Sequence, residues 1–196
     1  MYSKGLPNWP LLKSSSYVYK GNKMSTSNKV KVVTGKVRFS FCHVFQPHSG
    51  IEGGTPKYSV SIIIPKSDKE TIARLNKAFE DTKAGASAVF GGSIPKMVKG
   101  GLRDGDMERE NDPAYANSYF INANSAQKPG VVDQDLNPII DANEFYSGCY
   151  GRASITFYPY NAQGSKGIAC GLNNVQKLED GEKLGGSTTA AADFAV

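Results

Sequence analysis

Alternation of hydrophobic and polar residues predicts a chain built mainly from β-strands. The first such stretch, 31–41, places Val37, Phe39 and Phe41 on one face and mostly polar residues on the other. A period of two is typical of a half-buried strand. Strands are predicted at 31–41, 57–64, 118–123, 153–158 and 168–175. By the same alternation we expect Phe39, Phe41 and Phe157 to lie in the hydrophobic core.

One helix is predicted between the early strands. Ser67 or Asp68 can cap it by accepting hydrogen bonds from the first free backbone amides. Ile72 and Leu75 fall on one apolar face, and Gly85 is a suitable stop. Several short strands with a single helix inserted among them indicate a small β-barrel.

The domain is predicted to span 29–178, with a different composition at each end. Residues 1–28 lack hydrophobic periodicity and the roughly 7–15-residue apolar stretch of a signal peptide. We expect Met24 to be the natural start, with the preceding stretch disordered or extraneous. Residues 179–196 are rich in Gly, Ala and Thr and are expected to form a flexible, mildly acidic tail. The longest apolar run, Val60–Pro65, is far shorter than the roughly 18 residues of a membrane span, so no membrane partner is expected.

The net charge of +5 is unevenly distributed along the chain. Residues 24–103 carry thirteen basic and five acidic side chains, a balance of +8. Residues 104–144 carry two basic and nine acidic side chains, a balance of −7, and the tail 179–196 has −3. A basic front half beside an acidic middle predicts a polarised molecule, which favours a polyanionic partner.

Residues that commonly carry catalysis or hold metals are sparse. The sequence contains no nucleophile elbow, Walker loop or HExxH motif, so we expect neither enzymatic activity nor a cofactor. Cys42, His43 and His48 lie close in sequence, but their spacing does not favour a metal site. The chain has three cysteines and no CxxC pair, which favours a reducing compartment without disulfides.

An acidic ladder runs through LRDGDMEREND, from Asp104 to Asp112. Carboxylates of this kind can bind hard cations, but the Gly and Glu positions of an EF-hand loop are not matched. We therefore expect a solvated acidic loop. Cation binding, DNA mimicry and contact with a partner are the alternatives.

Basic and aromatic residues are interleaved in the predicted strands. The chain has ten Tyr, nine Phe and one Trp. The clearest examples are Lys36 and Arg38 with Phe39, Lys57 with Tyr58, and Arg152 with Tyr150, Tyr158 and Tyr160. Single-stranded nucleic acid is bound by this combination, because cations follow the phosphates while rings stack on unpaired bases. The alternative is that most of these rings are core, since aromatic residues are common in strands.

Several strings in this sequence resemble those of a known family. They are YSVSIIIPK at 58–66, RDGD at 103–106, KPGVVD at 128–133, EFYSGCYGRASITFYPY at 144–160, and the KGIACGLNNVQKLEDGEKLGG that follows. Together they resemble the bacteriophage single-stranded DNA-binding proteins of the OB-fold type, long classed as a phage domain of unknown function. The resemblance implies an OB-like small β-barrel with one inserted helix and flexible termini. It also implies sequence-independent binding of single-stranded DNA during phage replication or recombination, in the cytoplasm of the infected bacterial host.

Candidate DNA contacts follow from the matched strings and from the interleaved residues. The candidates are Lys36, Arg38, Lys57, Tyr58, Lys66, Arg103, Lys128, Tyr146, Tyr150, Arg152 and Tyr158. The resemblance further implies a C-terminal tail that docks replication proteins, here with Asp193 and Phe194. This tail departs from the family pattern, because it carries only −3 and two residues follow the Phe.

Two other functions are compatible with the residues. A phage structural or assembly-scaffold protein would use the barrel and its basic face for contacts between subunits. A metal-dependent nuclease would use the ladder Asp104–Asp112, but it needs two convergent metal sites that the sequence does not supply. A homodimer is left open.

Overall fold

Eight strands form one sheet within the described residues, 29–162 and 164–185 of a computed structural model. The strands are β1 (Val30–Val33), β2 (Val37–His48), β3 (Lys57–Pro65), β4 (Arg103–Asp104), β5 (Ser118–Ser125), β6 (Gly130–Val132), β7 (Tyr150–Ala162) and β8 (Ser165–Glu179). The helices are α1 (Lys69–Ala84), α2 (Gly105–Glu108) and a single 3-10 turn (Pro113–Tyr115). The predicted extension 1–28 lies outside the described residues.

Five strands of this sheet form a closed ring. Strand β2 pairs with β3, β3 with β5, β5 with β8, β8 with β7, and β7 returns to β2. The β5–β8 pair is parallel and the other four are antiparallel. This arrangement confirms the mainly β, OB-like small barrel that was predicted.

The inserted helix α1 begins and ends where the sequence predicted. The Asp68 carboxylate accepts a hydrogen bond from the Thr71 backbone amide at 3.0 Å, and Gly85 is the C-cap. The Thr71 hydroxyl accepts from the Gly35 amide at 3.0 Å, which ties the helix to the turn before β2. Leu75 is buried against the barrel. None of the described helices is long and apolar enough to cross a membrane.

The barrel core contains two of the three predicted rings. Phe39 and Phe157 are fully buried, whereas Phe41 is 50% exposed, so its assignment to the core is wrong. The reason is a β-bulge. Ser40 and His43 of β2 pair with Ser61 and Ser59 of β3, so β2 has one extra residue between the two pairs. The extra residue breaks the alternation on which the prediction relied, and Phe41 adopts a φ of 49° there.

The chain beyond β8 packs against the barrel. The predicted domain end at 178 falls inside β8, which continues to Glu179. The Leu184 amide then donates to the Ser147 carbonyl at 2.8 Å, and the Leu184 side chain packs beside Ile63. We call residues 179–184 the strap. Its residues belong structurally to the domain.

The segment between α1 and β5 covers part of the outer barrel surface. The Tyr115 and Phe120 rings pack edge to face, with centroids 5.0 Å apart, over Ile63. The Tyr115 hydroxyl donates to Ser61 Oγ at 3.0 Å. Beyond this cover, the outer face of β5 is open, because Asn122 is exposed and the next outward residue is only half-buried.

Candidate nucleic-acid interface

An open groove crosses the outer surface of β3, β5, β8 and β7. Three neighbouring depressions share Asn124 in their lining and so form one continuous surface. We call this surface the groove and define it by Lys57, Arg103, Asn122, Asn124, Tyr158 and Tyr160. It brings together three of the residues predicted to bind DNA: Lys57, Arg103 and Tyr158.

Two tyrosine rings of β7 lie over glycines of the neighbouring strand β8. A Cβ atom added at Gly171 would be 3.2 Å from Tyr158 Cε1, and one added at Gly167 would be 2.8 Å from Tyr160 Cε1. Strand pairing sets these neighbours, because Tyr160 lies directly opposite Gly167. The glycines therefore leave room for both rings to rest on the sheet, where both tyrosines are only partly buried.

Cations lie at both ends of the tyrosine pair. Lys29 and Lys57 line the depression that contains Tyr158, and neither has an acidic partner among the described residues. At the Tyr160 end, Lys166 Nζ donates to the Phe90 carbonyl at 2.6 Å, and Lys99 Nζ lies 3.5 Å from Ser165 Oγ. None of these interactions neutralises a lysine. The groove thus places partly exposed rings beside lysines that have no acidic partner among the described residues.

Arg103 enters the groove with its charge partly neutralised. Its guanidinium lies 4.6 Å from the centroid of the Phe120 ring. Its Nε donates to the Glu108 carboxylate at 2.9 Å. This ion pair lowers the pKa of Glu108 through the hydrogen bond from Arg103. Arg103 therefore offers a fixed edge of the groove with a weaker net charge than Lys57.

A second group of predicted residues lies together under the strap. We call Lys36, Arg38, Tyr146 and Tyr150 the strap cluster. Lys36 Nζ and the Arg38 guanidinium lie 5.3 and 5.5 Å from the Tyr150 ring centroid. Lys36 forms an ion pair with Glu179, and Arg38 Nη2 donates to the Glu182 carbonyl at 2.9 Å. The cations of the strap cluster are therefore held by the chain itself.

The tyrosines of the strap cluster contact the strap. The Tyr146 hydroxyl donates to the Asp180 carboxylate at 2.8 Å. Burial is the larger cause of the raised pKa of Tyr146, and this hydrogen bond is the second cause. Hydrogen bonds from Lys177 and Tyr146 lower the pKa of Asp180. A Cβ added at Gly181 would be 2.8 Å from Tyr150 Cε2, so the strap lies against that ring.

Lys66 and the acidic ladder hold one another. Lys66 Nζ lies 2.8 Å from the Asp104 carboxylate and 2.7 Å from that of Asp106. These hydrogen bonds raise the pKa of Lys66 and lower that of Asp106. The Asp112 carboxylate caps the 3-10 turn by accepting from the Ala114 amide at 3.1 Å. Asp106, Glu108 and Glu110 are exposed, as expected for a solvated acidic loop, and in addition Asp104 and Asp106 hold Lys66.

The remaining candidates are spread over other parts of the barrel. Lys128 Nζ lies 5.7 Å from the Phe45 ring centroid, and Arg152 Nε donates to the Thr34 carbonyl at 3.4 Å. Tyr58 is half-buried at the start of β3, in the phase that points toward the core. The predicted docking residues Asp193 and Phe194 lie outside the described residues.

Two groove residues were missed by the sequence reasoning. Asn122 and Asn124 alternate with the buried Ile121 and Ala123, and this alternation was the available signal. Patterns of cations and rings do not mark these residues, because an amide is neither. Amide side chains on the outer phase of a predicted strand are therefore also candidates for binding a base.

No group of three metal-ligating side chains exists among the residues that the structure describes. The His43 and His48 rings stack with centroids 4.4 Å apart. Burial is the larger cause of the lowered pKa of His43, and the charge of His48 is the second cause. Burial raises the pKa of the Cys42 thiol. The described part of the chain therefore gives no support to the nuclease alternative.

Fold and groove together define an OB-type barrel whose outer surface carries partly buried tyrosines beside lysines. The chain belongs to the family described as "Enterobacter phage Enc34, ssDNA-binding protein", whose model matches residues 30–196. It is 31% identical over 178 residues to the putative protein p50 of Acyrthosiphon pisum secondary endosymbiont phage 1, covering 84% of this chain and 91% of that protein.

Solved structures show the same fold. The single-stranded DNA-binding protein of bacteriophage Enc34, solved in complex with single-stranded DNA, matches with a TM-score of 0.68 and 26% identity over 82% of this chain and 91% of that chain. A single-stranded DNA-binding protein encoded by bacteriophage T7 matches with a TM-score of 0.56 and 16% identity, over 85% and 94% of the two chains. The second match shows similarity of fold alone.

Proposed function

We propose that this protein binds and protects single-stranded DNA, without sequence preference, during phage DNA replication or recombination. The family membership and the relative solved with single-stranded DNA support this function. The observation that carries it is the groove, where the partly exposed rings of Tyr158 and Tyr160 lie near Lys29 and Lys57, which have no acidic partner among the described residues. Rings that stack on bases and cations that follow phosphates are the two requirements for binding a single strand.

The path of the strand in this proposal runs along the groove. Lys57, Tyr158 and Arg103 are the predicted contacts that serve it, and Tyr160 is added to them. For Lys36, Arg38, Lys66, Tyr146 and Tyr150 we propose structural roles. Lys36 and Lys66 pair with acids, Arg38 and Tyr146 hydrogen-bond the strap, and the Tyr150 ring lies against the strap. The protein acts by binding, with no catalytic step.

Partners beyond DNA belong to the same proposal. Phage DNA replicates inside the bacterial host, so the protein acts in that cell. The tail with Asp193 and Phe194 is proposed to dock replication proteins, and a homodimer remains compatible with the chain.

A fluorescence titration tests this function. Oligo(dT) and a duplex of equal length are titrated at two salt concentrations. We expect tighter binding of oligo(dT), with log affinity falling by about 0.7 per log unit of salt for each phosphate contact. Equal affinity for the duplex, or no binding of either, would contradict the proposal. Such a result would favour the alternative, a phage structural or assembly-scaffold protein.

A further inference from the structure

Two amide side chains in the groove lack partners. Asn122 and Asn124 point outward from β5, opposite Ser61 and Ser59 of β3. Neither side chain makes a hydrogen bond within the described residues.

Other asparagines on the same sheet are engaged. The Asn173 amide donates to Thr156 Oγ1 at 2.9 Å and to Ser154 Oγ at 3.3 Å. Asn174 Oδ1 accepts from the Gly130 amide at 3.0 Å. The free hydrogen-bonding capacity is therefore concentrated at Asn122 and Asn124.

The position of these amides suits bases better than phosphates. Asn124 lines the depression that holds Lys57 and Tyr158, and Asn122 lines the one that holds Arg103 and Tyr160. A base stacked on either tyrosine would turn its edge toward β5, the strand beside β8 in the ring. An amide has both a donor and an acceptor, and rotation of its torsion exchanges them, so it can pair with the edge of any base.

We infer that Asn122 and Asn124 hydrogen-bond the edges of bases stacked on Tyr158 and Tyr160, so that the groove detects the presence of a base without reading its identity. This inference rests on the proposed function. It divides the binding energy into a phosphate part that depends on salt and a base part that does not. The two parts can be separated chemically.

The experiment compares two probes of equal length, oligo(dT) and an abasic oligonucleotide with the same phosphates. Both are titrated against the wild type, Asn122→Ala, Asn124→Ala, and the control Asn76→Ala on the exposed side of α1. We expect each groove variant to lose about 2- to 10-fold in affinity for oligo(dT), which is the size of one hydrogen bond. The same loss is expected for oligo(dA) and oligo(dC). Affinity for the abasic strand should match the wild type.

Several results would overturn the inference. They are an equal loss on the abasic strand, no loss on oligo(dT), or a loss confined to one base. A melting curve of each variant shows whether it folds. The control Asn76→Ala shows whether removal of any exposed amide changes the affinity. If the wild type binds the abasic strand as tightly as oligo(dT), the inference and base stacking in the groove both fail, while binding of a single strand stands. If it binds no single strand at all, the proposed function fails as well.

Discussion

The groove and the strap cluster contain the same chemical groups, but they differ in whether those groups have partners within the domain. Each has tyrosines beside lysine or arginine on the barrel surface. In the groove, Lys57 has no acidic partner and the Tyr158 hydroxyl has no hydrogen-bond partner among the described residues. In the strap cluster, Lys36 is paired with Glu179 and Tyr146 donates to Asp180. Proximity of a cation to a ring is therefore not enough to make a binding surface.

The difference comes from what the rest of the chain brings to each place. Lys36 and its partner Glu179 are 143 positions apart in sequence, and the end of β8 carries the acid to the cluster. No described acidic segment reaches Lys57 in the same way. A phosphate that binds Lys36 has to displace Glu179, whereas one that binds Lys57 displaces no acid of the described residues.

Replacing Tyr158 or Tyr150 with alanine tests this comparison and has the largest expected effect. Tyr158→Ala should lower the affinity for oligo(dT) by about 1–3 kcal/mol, because a stacking face is lost. Tyr150→Ala should leave the affinity nearly unchanged and lower the stability by about 1–3 kcal/mol, since its ring packs under Lys36, Arg38 and the strap. Oligo(dT) titration and chemical denaturation of both variants measure the two effects. A loss of affinity for Tyr150→Ala equal to that for Tyr158→Ala would remove the distinction.

Removing the strap is expected to act on stability. A chain ending after Leu178 lacks Leu184, which packs against the cluster that contains Ile63, and it lacks the carbonyl that accepts from Arg38. Its free energy of unfolding should be lower by about 1–3 kcal/mol. A chain ending after Gly185 keeps the strap and is the matched control. Denaturation curves of the two chains should therefore differ, and equal stability would show that the strap contributes nothing to the fold.

Two lysines sharpen the comparison through salt dependence. Lys57→Gln should reduce the salt slope of oligo(dT) binding by about 0.7, the value for one phosphate contact on a single strand. Lys36→Gln should leave the slope unchanged, because Lys36 is paired with Glu179. Titrations at four salt concentrations give the slopes. A change of slope in Lys36→Gln alone would place the strand on the strap cluster instead.

The smallest expected effect is a pH dependence confined to the strap. The pKa of Asp180 is lowered by hydrogen bonds from Lys177 and Tyr146. Its contribution to stability is therefore complete above the ordinary carboxyl pKa of about 4 and is lost as the pH falls through the lowered value. Melting curves between about pH 3 and 7 should show a slightly weaker acid destabilisation in Asp180→Asn than in the wild type. Identical pH profiles would show that Asp180 does not stabilise the strap.

Local rules predicted the elements that depend on neighbouring residues. The strands followed from alternation, and the Asp68 cap and Gly85 stop of α1 followed from the preferences of helix ends. Phe41 was misplaced because a bulge adds one residue to β2, and alternation cannot show where a register shift occurs.

The candidate site was predictable in composition and only partly in position. Lys57 and Tyr158 were identified as candidates and lie together in the groove. Lys66 was a candidate by the same reasoning, yet it is held by Asp104 and Asp106, which lie 38 and 40 positions further along the chain. Such pairings are decided by topology, and charge counted along the chain does not contain them.

Photocrosslinking tests the central claim most directly. An oligonucleotide carrying 5-iododeoxyuridine is bound to the full chain, irradiated and mapped by tryptic digestion. Cleavage after Arg152 places Tyr158 and Tyr160 in the peptide 153–166, separate from Tyr146 and Tyr150. We expect crosslinks in the peptide 153–166, because its two rings line the groove. Crosslinks confined to Tyr146 and Tyr150 would contradict the account and assign the strand to the strap cluster.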